Sequence, residues 1–165
     1  MGQVVGRMWV MGIVLALSVV LVLGAGPVLA KTFTCALNNT DCVGTKKDDT
    51  ITGEGGNIIH GKAGNDKITS GQSDLLGEKG NDTLKEVAGI NDNGVLIGAN
   101  DLAGGPGDDK ILAPFGSSLI SGGGGDDDIR AKNGIGDDIN CGGGDDTVTF
   151  DKGLDDVTKC EEKKS

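Results

Sequence analysis

Beyond an apolar run from Met8 to Leu23, interrupted only by Gly12 and Ser18, the hydrophobic positions of this chain are sparse and regular. From Gly44 onward, single aliphatic residues stand mostly between polar neighbours, at Ile51, Ile68, Leu84, Ile111, Ile129 and Val148. Such a residue follows the two-residue alternation of a half-buried strand, and the stretches between glycines are too short for helices. The pattern predicts an all-β chain of very short strands joined by glycine-rich turns.

Set in register, these positions reveal a period close to nine. The units are GTKKDDTIT from Gly44, GKAGNDKIT from Gly61, GEKGNDTLK from Gly77, GGPGDDKIL from Gly104, GGGGDDDIR from Gly122 and CGGGDDTVT from Cys141. All six place Asp at the sixth position, as Asp49, Asp66, Asp82, Asp109, Asp127 and Asp146, and the aliphatic residue at the eighth. Weaker copies fill the gaps, with Asn57 before Ile59, Asp74 before Leu76, Asp101 before Leu102 and Asp138 before Ile139 as further candidate ligands on the opposite side. Strong units recur mostly 16 to 19 residues apart, which is one strong and one weak nonapeptide per coil. Gly77 and Gly104, however, are 27 residues apart. Either the strong loops change sides between Glu86 and Gly98, or an irregular loop around Asn91-Asp92-Asn93-Gly94 restores the register. The row of sixth-position carboxylates is expected to be split or shifted there.

Each unit has its own chemistry. Glycines at the first, second and fourth positions allow peptide carbonyls to crowd around one point, and the sixth-position Asp adds a carboxylate. Calcium takes about six to eight oxygen ligands, more than one loop supplies, so the ion is expected between loops of neighbouring coils.

Composition narrows the picture further. Glycine supplies 31 of 165 residues, tyrosine is absent, and three Phe with one Trp cannot build a bulky aromatic core. The net charge of −10 leaves no basic surface for phosphates, so nucleic acid is excluded as an expected partner. Arg7, the apolar run and the small-residue site Val28-Leu29-Ala30 read as an export signal over residues 1–30, cleaved after Ala30. A retained anchor is the rival reading, but the run falls short of the roughly 20 residues that span a bilayer. Cleavage removes Arg7 and no acid, so −10 becomes −11, no membrane segment remains, and a secreted, extracellular protein is expected. Four cysteines allow three pairings; the close ones, Cys35 with Cys42 and Cys141 with Cys160, are favoured as staples of an oxidising compartment. They lie in or beside an N-terminal cap, residues 31–43, and a C-terminal cap, residues 151–165, around repeats spanning 44–150.

The repeats resemble the hemolysin-type calcium-binding nonapeptide, or RTX, family, whose consensus is G-G-x-G-x-D-x-U-x, with U a large aliphatic. The resemblance implies a right-handed parallel β-roll, a β-helix or solenoid, in which adjacent turns clasp Ca²⁺ through carbonyls and the repeat Asp. It implies a metal role for Asp49, Asp66, Asp82, Asp109, Asp127 and Asp146 and for Gly61, Gly64, Gly77, Gly80, Gly104, Gly105, Gly107, Gly122, Gly123, Gly125, Gly142 and Gly144. Two departures stand out. Lys46 and Lys47 replace the third and fourth positions of the first unit, and Cys141 takes the first position of the last.

Catalytic readings find no support. The single His60 lies in no H-E-x-x-H, Ser117 and Ser118 have no recognisable His partner, and no Walker lysine follows the glycine loops. The expected function is therefore non-enzymatic: a secreted Ca²⁺-binding protein, or alternatively a calcium-rigidified surface or adhesion protein binding a glycan, mineral, ice or another cell. Crowded carboxylates on a narrow coil couple folding to cation binding. The mature chain is expected to be largely unordered in chelator and to gain β-structure in millimolar calcium. Circular dichroism checks this, and an identical folded spectrum in both conditions would refute it.

Overall fold

The computed structural model describes residues 30–36, 41–90, 96–97 and 100–165, so the expected export signal and the Asn91-Asp92-Asn93-Gly94 loop lie outside the described residues. The described strands are β1 (Lys31–Cys35), β2 (Cys42–Val43), β3 (Asp49–Gly53), β4 (Ile58–Ala63), β5 (Lys67–Ser70), β6 (Asp74–Lys79), β7 (Thr83–Glu86), β8 (Gly89–Ile90) and β9 (Leu96–Ile97). They continue with β10 (Asp101–Pro106), β11 (Lys110–Leu112), β12 (Leu119–Gly124), β13 (Asp128–Arg130), β14 (Asp138–Gly143), β15 (Thr147–Thr149), β16 (Asp156–Thr158) and β17 (Glu162–Lys164).

Alternate strands enter alternate sheets. The first sheet has eight strands in the order β1-β3-β5-β7-β11-β13-β15-β17, the second seven in the order β16-β14-β12-β10-β6-β4-β2, and every pairing within them is parallel. The chain is thus a β-solenoid of about seven turns, and no helix occurs among the described residues. No described helix is long and apolar enough to cross a membrane.

The core follows from the eighth positions. Ile51, Ile68, Leu84, Ile111, Ile129 and Val148 stack in the first sheet, each directly opposite the next in register and each 0% exposed. Ile59, Leu75, Leu102, Ile120 and Ile139 form the matching column of the second sheet. One expectation needs correction: Leu75, not Leu76, is the core residue, because Leu76 points to the outer face. Both disulfides, Cys35–Cys42 and Cys141–Cys160, are formed.

The 27-residue interval is also resolved. Thr83 pairs with Lys110 and Leu84 with Ile111 in the first sheet, while Leu75 pairs with Leu102 in the second, so both ladders continue across it. The strong loops do not change sides. The extra length leaves the roll as the antiparallel pair β8 and β9, with Gly89 opposite Ile97. Buried Glu86 holds its base: Oε1 accepts from Asn100 Nδ2 (2.6 Å) and Oε2 from the Phe115 N–H (3.1 Å).

Because each coil contributes only two large core side chains, a truncation has few neighbours to relax onto it. Ile111→Ala is expected to lower the unfolding free energy of the calcium-loaded protein by about 2–5 kcal/mol, read from denaturant melts. A change within experimental error would contradict the stacked core.

Candidate metal centre

All six strong loops lie along one edge, where the chain passes from the second sheet to the first. The sixth-position residues Asp49, Asp66, Asp82, Asp109, Asp127 and Asp146 are buried there, each 2% exposed or less. Their order comes from a ladder of side-chain to backbone bonds. The Asp49 N–H donates to Asp66 Oδ1 (2.7 Å), Asp66 to Asp82 (2.7 Å), Asp82 to Asp109 (2.7 Å), Asp109 to Asp127 (2.8 Å) and Asp127 to Asp146 (2.9 Å). The bond from Asp82 to Asp109 spans the irregular interval, so the row is continuous, contrary to the expected split. An insertion that leaves through the opposite edge does not disturb the strong loops.

A second ladder runs in the opposite direction along the exposed fifth positions. The Asn65 N–H donates to Asp48 Oδ1, Asn81 to Asn65, Asp108 to Asn81, Asp126 to Asp108 and Asp145 to Asp126, at 2.7–3.1 Å. The sequence reading missed this role, although the invariable Asp or Asn at the fifth position was its signal. With one side chain reaching forward and the next reaching back, each turn is tied to both neighbours.

The ladder uses only one oxygen of each sixth-position carboxylate. Oδ2 of Asp66, Asp82, Asp109, Asp127 and Asp146 is buried and has no hydrogen-bond partner. Four of these oxygens face the peptide carbonyl of the next coil across the space left by a first-position glycine. A Cβ on Gly61 would meet Asp66 Oδ2 and the Gly77 carbonyl; on Gly77, Asp82 Oδ2 and the Gly104 carbonyl. On Gly104 it would meet Asp109 Oδ2 and the Gly122 carbonyl, and on Gly122, Asp127 Oδ2 and the Cys141 carbonyl. The absent side chain is what keeps each cradle open. At the fourth position glycine has a different use: Gly80 and Gly107 hold φ of 127° and 141°, and a Cβ on either would strike a carbonyl of the preceding coil. Gly64, Gly125 and Gly144 repeat this geometry, and Gly105, Gly123 and Gly142 adopt left-handed φ at the second position.

The donors fit a hard cation. They are carboxylate and carbonyl oxygens, and among the described residues no group of three or more His, Cys, Asp or Glu gathers at one point, so backbone oxygens would supply much of a coordination shell. Burial, partly offset by the donated N–H, pushes the Asp66 and Asp127 carboxyls up to about 6 and Asp109 up to about 7, and neighbouring acids add to the rise. Asp82 and Asp146 are raised by the same burial.

The two ends differ from the middle. Asp49 Oδ2 accepts from both the Thr45 N–H (2.6 Å) and the Thr45 hydroxyl (2.8 Å), so the first loop satisfies its own carboxylate. At the other end the Asp146 N–H donates to Glu161 Oε2 (3.0 Å), and Glu161 takes the place of a sixth-position Asp. Nothing in its sequence context marked it, because only six residues run from Val157 to Lys163, against nine from Ile139 to Val148, and no glycine loop fits between them.

The opposite edge is built otherwise. Its buried turn residues are Asn57, Ser73, Asn100, Ser118 and Asp137, so Asn57 stands at the sixth-position place, while Asp74, Asp101 and Asp138 stand one residue past it, on the outer face of the second sheet. Asp137 is engaged at both oxygens, by the Ser118 N–H (2.7 Å) and by Asn133 Nδ2 (3.1 Å).

Four segments, residues 43–68, 53–84, 96–113 and 104–138, match the RTX calcium-binding nonapeptide repeat. No curated protein and no solved structure matches the chain.

The raised carboxyls set a pH dependence for the cation-free protein. A folded-state value of about 6 to 7 against an ordinary 3.8 stabilises the fold fully below the ordinary value, and that stability is lost as pH rises through 6 to 7. The calcium-free chain is therefore expected to gain β-structure when acidified from about pH 8 to about pH 5. Circular dichroism after exhaustive removal of divalent ions tests this, and a β-signal that weakens on acidification would overturn it.

Proposed function

The chain belongs to the RTX calcium-binding nonapeptide repeat family and binds Ca²⁺, and from that premise we propose that it is an exported, non-enzymatic module whose strong loops hold calcium in a single row. The observation that carries this reading is the line of buried Oδ2 atoms that the hydrogen-bond ladders leave without partners. Asp66 with Gly77, Asp82 with Gly104, Asp109 with Gly122 and Asp127 with Cys141 would hold the ions, the Asp through its carboxylate and the second residue through its carbonyl. The glycines at the second and fourth positions keep the turns open around these oxygens. Bound calcium supplies positive charge and oxygen coordination where the protein alone leaves a buried anion, a deficit of about 1–3 kcal/mol or more per carboxylate. Folding and binding are then one event, so the module gains its shape where calcium is plentiful.

Export is supported by the leader-like segment and by two disulfides, which suit an oxidising compartment. Asp49 is left out of the calcium set because Thr45 already satisfies it. Asn57, Asp74, Asp101 and Asp138 are left out as well, because the opposite edge lacks the paired carboxylate and carbonyl of the strong row.

Calorimetric titration of the chain from Lys31 to Ser165 is expected to find about four calcium ions. Asp109→Ala and Asp127→Ala should each remove about one and weaken the rest, because neighbouring loops share ligands. Asp49→Ala should leave the stoichiometry unchanged. Unaltered stoichiometry and affinity in both central variants would overturn the assignment.

A further inference from the structure

Strand register sorts the exposed charges by face. On the outer face of the first sheet two columns run the length of the roll. One reads Thr32, Thr50, Lys67, Thr83, Lys110, Asp128, Thr147, Glu162, and the other Thr34, Thr52, Thr69, Lys85, Leu112, Arg130, Thr149, Lys164. Both acids are neutralised by neighbours: Asp128 Oδ2 is 2.9 Å from Arg130 Nη2, and Glu162 Oε1 is 3.3 Å from Lys164 Nζ. Lys67, Lys85 and Lys110 make no ion pair among the described residues. They fall on three consecutive rungs, β5, β7 and β11, and alternate between the columns. The outer face of the second sheet is the reverse: Asp74, Asp101, Asp138 and Asp156 occupy one column, and Glu78 is bound to Lys62 and His60. In a chain of net charge −10, the outer face of the first sheet thus carries three lysines without ion pairs on consecutive rungs and no acid without one.

We propose that this Thr- and Lys-lined face is a docking strip for a linear acidic polysaccharide. Shape decides against a protein partner. Eight strands about 4.8 Å apart make a strip about 34 Å long, and two residues along a strand separate the columns by about 7 Å. Its area is on the order of 240 Å², about a third of what each partner buries in a standard protein interface. A polymer lying along the roll meets one cation per strand for three successive strands. Threonine hydroxyls beside each lysine offer donors and acceptors to sugar hydroxyls. Nucleic acid is the poorer fit, because the face has no aromatic residue for base stacking and its one arginine is held by Asp128. The inference rests on the strand register; calcium enters only by folding the roll.

Binding of the calcium-loaded protein to immobilised chondroitin sulfate tests it, with neutral dextran and a deoxythymidine oligomer as comparators. Retention is expected at about 50 mM NaCl and loss by about 300 mM. The Lys67→Glu/Lys85→Glu/Lys110→Glu variant should bind about tenfold more weakly or worse. Lys132→Glu/Lys152→Glu/Lys159→Glu, which makes the same charge change elsewhere, should stay within about twofold. Wild-type failure to bind, equal losses in both variants, binding to dextran, or equal affinity for the oligonucleotide would each overturn the proposal. Circular dichroism and calcium titration of the same samples separate it from the calcium reading. A sheet-face variant that folds and takes up calcium normally yet binds the polymer like wild type refutes the strip alone, and binding without any calcium uptake refutes the calcium row alone.

Discussion

The structure depends on one hydrogen bond repeated from coil to coil: the N–H of a sixth-position Asp donates to the carboxylate of the Asp one turn later. This bond fixes the rotamer of each Asp, spaces the turns at the strand repeat, and commits one oxygen of every carboxylate to the protein. From Asp66 to Asp146 the second oxygen is left buried with nothing to accept from. An arrangement that satisfies the backbone so regularly while stranding the side chain is not self-sufficient at neutral pH. Burial raises the carboxyls toward 6 and 7, which expresses the same conflict as an affinity for positive charge. Protons and a hard dication are the two ways of resolving it, and only the dication also uses the converging carbonyls.

The core is too thin to impose order by itself. Each half-turn buries a single large aliphatic residue, with no aromatic among the fully buried side chains, so hydrophobic stacking sets register while the turns set shape. That division of labour explains the long coil. The two sheets and the strong edge keep their periodic contacts, and the additional residues leave through the weak edge, where turn length is not tied to a carboxylate ladder. Glu86 shows what the weak edge uses in its place. It is a fully buried acid, pushed up to about 7 by burial, with each oxygen taken by a neighbouring turn.

Much of this was legible in the chain itself. The eighth-position aliphatics and sixth-position Asp repeat without exception, and both kept their assigned places, as did the cysteine pairs. The weak units were read one residue out of step at Asp74, Asp101 and Asp138. There the buried position is held by Ser, Asn or Asp, and a more conspicuous exposed Asp follows it. The split row was inferred from spacing along one dimension, which cannot register that an insertion leaves by the edge that matters less. Thr45 and Glu161 were invisible for a related reason: each substitutes for a repeat feature by geometry, not by matching its sequence.

Those two residues bear on the length of the row. A repeating ladder has no intrinsic end, and an exposed terminal Asp would present the same half-satisfied carboxylate to solvent or to another coil stack. At the first loop Thr45 closes the carboxylate from within, and Lys46 and Lys47 stand where the repeat has a variable residue and a glycine, so that loop accepts the next coil without needing a cation. At the last, only six residues run from Val157 to Lys163 where nine run from Ile139 to Val148, too few to repeat the glycine loop, and the extra methylene of Glu161 restores the reach to the Asp146 N–H. The Cys141–Cys160 bond places that turn directly beside the loop it terminates. The first end is therefore built as a hydrogen-bond substitute for calcium, whereas at the last Asp146 Oδ2 stays buried without a partner; the cradles between them, from Asp66 to Cys141, are the part of the row proposed for the ion.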